Sequence, residues 1–167
     1  MVIEIRTGAA AQLWQACLQQ AQQRQQVRLS ESQESYLVFT LLRHARDATL
    51  GARIMAIELF EALDEPGRCG SERLRDVGDR CLLIAGLFPA LRERRRVDAG
   101  YYQQVGRTAY GLLAELDRSA LAGLYAELAR SYGELVRVLL GLRVDRPPAP
   151  EANPLLSLRD AVAAGTA

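Results

Sequence analysis

Apolar residues recur along most of this chain at spacings of three and four, the period of helices that bury one face. From Gly8 to about Gln26 the segment AAAQLWQACLQQAQQRQQ predicts a helix with Trp14, Cys17, Leu18 and Ala21 inward and glutamines elsewhere. Ser30 and Gln33 have capping-box spacing, so a second helix is expected to start there and run to about Asp47. Its middle, YLVFTLL at 36–42, is apolar on every side and predicts a central helix. Thr49 is placed to cap a third helix that ends at Pro66-Gly67. Leu50, Ile54, Ile57 and Phe60 are expected inward there, with Glu58, Glu61 and Glu65 in water.

Ser71 is the expected cap of a fourth helix, and Pro89 its stop. Within it Leu74, Val77, Cys81, Ile84 and Phe88 form a seam, and residues 81–88 are apolar or small all round, so that end should be surrounded by protein. Gly78 and Gly86 lie eight residues apart, within about a quarter turn of one another, and predict close approach of another helix. Gly106, Gly111 and Gly133 are the candidate partners. Asp98 should cap a helix with Tyr102, Val105, Ala109, Leu112 and Leu116 inward. Ser119 should begin a last long helix with the stripe Leu121, Leu124, Leu128, Leu135, Leu139 and Leu142.

The two ends read differently. VIEIR, residues 2–6, alternates as a strand does, but one short strand makes no sheet, so an extended arm is expected over 1–7. Beyond Arg143 a proline-rich linker leads to a helix signal: Asn153 as cap, Pro154 at the first helical position, and Leu155, Leu158 and Val162 on one side. The expected fold is therefore all-α: a single-domain bundle of about six helices over 1–143, then a linker and short tail helix over 144–167.

Composition narrows the chemistry. The 167 residues are one domain's worth, and a net charge of +1 gives no global pull toward nucleic acid or anionic lipid. Every basic residue is arginine, which removes lysine Schiff-base chemistry. Three cysteines without a CxxC argue against a disulfide framework and a structural zinc, and fit a reducing compartment. The start carries no secretory pattern, and LLIAGLF is far short of the roughly 20 residues that span a bilayer. A cytoplasmic protein, away from membranes, is expected.

No catalytic motif emerges. The single histidine, His44, has no acid three residues before it, against a di-iron bundle. There is no GxSxG and no glycine-rich phosphate loop. LRERRRV, with Arg92, Arg94, Arg95 and Arg96, is a weak footprint for nucleic acid and better suits an acidic protein partner or a solvated helix end. No catalytic residue, metal or cofactor is assigned.

One polar group allows two readings. Asp76 and Arg80 are four apart in the favourable order for a helical ion pair, and Asp79 stands beside them. Tyr101 and Tyr110 on the following helix are natural partners for these groups. The five either tie two helices together or line a polar pocket between helices 71–88 and 98–116.

Taken together, VGDRCLLIAGLFP and DAGYYQQVGRTAYGLL resemble members of an all-helical bacterial family of uncharacterised proteins. That family combines a VGDxxLxxxGxFP helix with a DxxYYxxxGxxAY segment and an upstream YLVxxLxR helix. Here the matching residues are Val77, Gly78, Asp79, Leu82, Gly86, Phe88 and Pro89; Asp98, Tyr101, Tyr102, Gly106, Ala109 and Tyr110; and Tyr36, Leu37, Val38, Leu41 and Arg43. LRERRRV falls where relatives vary. The resemblance spans roughly residues 30 to 116, implies a helical fold, and transfers no catalytic residue. The expected function is non-catalytic: work through a protein partner, a second copy of the chain included. The expected surfaces are the arginine-bearing segment and the tail residues Leu155, Leu158 and Val162, used in helix-in-groove fashion. A small-molecule-binding protein or enzyme using the polar pocket is the alternative.

Overall fold

The computed structural model describes residues 2–44, 55–88 and 96–142. The fold is all-α, with seven helices and no strand among the described residues: α1 Val2–Gln25, α2 Glu31–His44, α3 Met55–Asp64, α4 Gly67–Leu87, α5 Ala99–Leu116, α6 Ala122–Arg130 and α7 Tyr132–Gly141. The chain divides into two compact units, Met1–Ala48 with Val138–Ala167, and Thr49–Arg137.

In the first unit α1 buries Trp14, Cys17, Leu18 and Ala21, the face its periodicity predicts. The extended arm expected over 1–7 is corrected: from Val2 onward these residues are the first turns of α1. An alternating segment without a partner strand satisfies its backbone more readily by helical bonds than by lying extended. Gln26, at φ +54°, ends the helix. The capping box at α2 forms: the Ser30 amide donates to Gln33 Oε1 at 2.9 Å, and the Gln33 amide donates to Ser30 Oγ at 3.3 Å. Gln22 ties α1 to the turn and to α2, accepting from the Leu29 amide at 2.8 Å and donating to Glu34 at 2.8 Å. α2 is not the all-round buried helix expected. Leu37, Thr40, Leu41 and His44 are inward, whereas Phe39 is 73% exposed. At the end of α7, the Gly141 carbonyl accepts from Arg24 at 3.4 Å.

In the second unit α4 is the central element, packed against α3 and α5. Residues 81–88 are buried throughout, as their composition requires. The helix begins earlier than expected, at Gly67. Pro66 is its cap and makes no side-chain cap bond, so Ser71 lies inside the second turn. Proline's fixed φ and the left-handed Gly67, at φ +72°, turn the chain directly into helix. α4 ends at Leu87, with Phe88 at φ −125°, ψ 63° ahead of Pro89. Asp98 is the cap of α5, without a side-chain cap bond.

Three packing faces depart from the sequence pattern. α3 buries Met55, Leu59 and Ala62 and leaves Ile57 50% and Phe60 67% exposed. Both sets have helical spacing, so periodicity alone does not choose between them. On α5 the inward set is Tyr102, Ala109, Tyr110 and Leu113, and Leu116 is 57% exposed. The last long helix is two helices, with Ser131 at φ −94°, ψ 15° between them. Its amide donates to Glu127 and its carbonyl accepts from Leu135, both at 3.0 Å, so the serine closes α6 and opens α7. Of the expected stripe Leu128, Leu135, Leu139 and Leu142 are buried, Tyr125 and Tyr132 are buried beside them, and Leu121 is exposed. The Thr49 cap, most of LRERRRV (Arg92, Arg94, Arg95) and the tail with Leu155, Leu158 and Val162 lie outside the described residues.

Candidate functional site

The five polar residues singled out in the sequence separate into three arrangements. The Arg80 Nε donates to Asp76 Oδ2 at 2.7 Å along one turn of α4, and both side chains are largely buried. Asp79, 2% exposed, turns inward and accepts the Tyr110 hydroxyl at 2.7 Å. Tyr101 is elsewhere: its hydroxyl accepts the Ala56 amide at 3.2 Å, serving one of the orphan first-turn amides of α3. Arg96, the one described arginine of the basic segment, is exposed at φ +51°.

Around the Asp79–Tyr110 bond lies an aromatic cluster. Tyr110 packs against Tyr132 with ring centroids 5.6 Å apart and against Tyr125 at 6.1 Å. The Tyr132 hydroxyl donates to the Gly78 carbonyl at 3.1 Å. Close approach demands glycine at two points. A Cβ on Gly78 would stand 2.6 Å from Tyr110 Cδ1, and one on Gly106 would meet the Tyr132 hydroxyl and stand 2.8 Å from Cys81 Cβ. Of the three glycines expected to face α4, Gly106 is the one in tight contact; a Cβ at Gly111 would meet open space, and one at Gly133 only the tip of Arg107. Short bonds and buried rings are the features of this cluster.

The second unit also holds a cleft of about 620 Å³. The first turns of α4, the end of α5, the 117–121 turn and Tyr125 surround it. Arg75 and Tyr125 line it, and Arg75 hydrogen-bonds the Tyr125 hydroxyl. Burial pushes that hydroxyl's pKa up; the Arg75 guanidinium opposes the shift, whereas Asp79 and Asp117 reinforce it. The cleft lies between helices 71–88 and 98–116 as the alternative reading requires, but other residues line it. Arg75, Tyr125 and Tyr132 were not singled out in the sequence. The signal for Arg75 is its position four before Asp79, on the same face. Tyr125 and Tyr132 are spaced three and four from Leu128, within a stripe read through its leucines alone.

The cysteines divide by burial. Cys17 and Cys81 are buried, and burial pushes both thiols up in pKa; Cys69 is exposed, on the first turn of α4 rather than in a loop. Iodoacetamide at pH 8 should therefore label Cys69 in the native protein, and Cys17 and Cys81 only after denaturation, as read by intact mass and peptide mapping. Native labelling of Cys81 at the rate of Cys69 would contradict the packing of α4.

Among the described residues no helix is long and apolar enough to cross a membrane, and no group of three or more His, Cys, Asp or Glu is placed to hold a metal ion. No family model, no curated protein and no solved structure matches the chain.

Proposed function

We propose that this chain is a non-catalytic protein-interaction module that meets its partner through the outer face of α3. The observation that carries the reading is the exposure of Ile57 and Phe60, 50% and 67%. They stand three residues apart on a helix whose opposite side, Met55, Leu59 and Ala62, is already buried. A helix apolar on two sides has one side left for another surface. Burying what Phe60 and Ile57 still expose contributes about 1–2 kcal/mol each. Glu58, Glu61 and Asp64 interleave with them, and Glu61 is already held by Arg73 at 3.5 Å, so the complementary surface is chiefly apolar. Action in the cytoplasm, with a second copy of the chain among the partners, belongs to the same proposal.

Phe60→Glu tests it. Because the side chain is exposed, folding stability should change by no more than about 0.5 kcal/mol. Sedimentation velocity over a concentration series reads self-association, and in-cell crosslinking reads other partners. In either experiment the wild-type complex should be lost in Phe60→Glu and in Ile57→Glu. A complex that survives both variants unchanged would refute the assignment.

A further inference from the structure

We propose that the cleft at the start of α4 binds a small amphipathic carboxylate, its acid group on Arg75 and its apolar body along Leu63, Leu116 and Leu121. The inference goes beyond the α3 reading and does not depend on it, since Ile57 and Phe60 do not line the cleft.

The apolar half of the argument is the wall. Leu63, Leu116 and Leu121 line the cleft and are 43%, 57% and 49% exposed. Concave apolar surface with a few convergent polar groups is the usual form of a small-molecule site, and about 620 Å³ falls inside the usual size range.

The polar half is the state of each charge lining the cleft. Glu65 is paired with Arg73 at 3.2 Å and Glu72 with Arg68 at 2.9 Å. Asp117 accepts the Ser119 amide at 2.8 Å. Arg118 has no ion-pair partner among the described residues, and the Arg75 Nε is buried without a hydrogen-bond acceptor. A buried N–H left unmatched is costly, and a guanidinium meets its ideal partner in a carboxylate. Arg73 is shared with Glu61 at 3.5 Å, so the charges on and beside the cleft balance, and the feature that selects a carboxylate is the unmatched Arg75 Nε. The Tyr125 hydroxyl stands beside the Arg75 guanidinium on the same wall of the cleft. The first turn of α4 adds the positive end of its dipole along one edge, which by itself selects no ligand.

The test uses the full chain with octanoate, and octan-1-ol as the uncharged control, in an NMR titration of backbone amides. Octanoate should give saturable shifts at Arg75, Leu116, Leu121 and Tyr125, with octan-1-ol binding about tenfold more weakly. Arg75→Gln should weaken octanoate about tenfold and leave octan-1-ol within about twofold. Because Arg75 also contacts Tyr125, Arg118→Gln at the exposed rim is the second variant, expected to weaken octanoate about threefold without altering the fold. The proposal is overturned by an absence of saturable octanoate shifts, by equal affinity for the alcohol, or by wild-type octanoate binding in the folded arginine variants.

Discussion

Gly106→Ala is expected to destabilise the second unit by about 3 kcal/mol. The new methyl group would occupy the position of the Tyr132 hydroxyl and crowd Cζ at 2.5 Å and Cys81 Cβ at 2.8 Å. None of these neighbours can retreat, because Tyr132 and Cys81 are both fully buried. Displacing the ring also breaks the bond from the Tyr132 hydroxyl to the Gly78 carbonyl, a loss on the buried donor's side because the carbonyl keeps its helical partner. Alanine's helix propensity returns only about 1 kcal/mol. Urea denaturation followed by far-UV circular dichroism should show a lower midpoint with an unchanged slope. Tyr132→Phe in the Gly106→Ala background should recover only part of the loss, since the ring carbon remains in contact. A midpoint equal to wild type would mean that α4 and α5 do not approach as described.

The Asp79–Tyr110 bond predicts the second large effect. Asp79→Ala strands a tyrosine hydroxyl in a site where the residue is 0% exposed, and opens a cavity beside it. The expected loss is about 3 kcal/mol, against about 2 kcal/mol for Tyr110→Phe, which removes the donor and keeps the ring's packing. Combining Tyr110→Phe with Asp79→Ala should cost clearly less than the sum, because one bond is lost in both. Asp79→Asn keeps an acceptor and should be the mildest of the set. Additive losses from the two residues, or an Asp79→Ala protein as stable as wild type, would remove the bond from its structural role.

How much of this was legible beforehand varies with the kind of signal. The α1 face, the Ser30–Gln33 box and the wholly buried 81–88 segment follow from a single dominant stripe or cap, and the structure reproduces each of them. Where two stripes compete, periodicity is silent. On α3 the pair Ile57 and Phe60 has the same spacing logic as Met55, Leu59 and Ala62, and only tertiary packing chooses. The α5 face is turned toward Tyr110 and Leu113 by partners distant in the chain: Asp79, 31 residues away, takes the Tyr110 hydroxyl, and Gly106 admits Tyr132. Distant partnerships of this sort leave no local trace. At the candidate site, the Asp76–Arg80 pair was readable from its spacing of four, and Asp79 with Tyr110 from chemistry that suits pairing. Arg75 was hidden because a half-buried arginine looks, in sequence, like any solvated one.

The separation of roles follows: the Asp79–Tyr110 and Tyr101–Ala56 bonds tie helices together, Asp76 and Arg80 pair along α4, and recognition is assigned to α3. A photo-crosslinking residue at position 60, compared with one at the exposed position 108 of α5, examines that assignment in the native cell. Discrete adducts from position 60, absent from position 108 and abolished by Ile57→Glu, are the expected result. Equal adducts from both positions, or none from position 60, would contradict it.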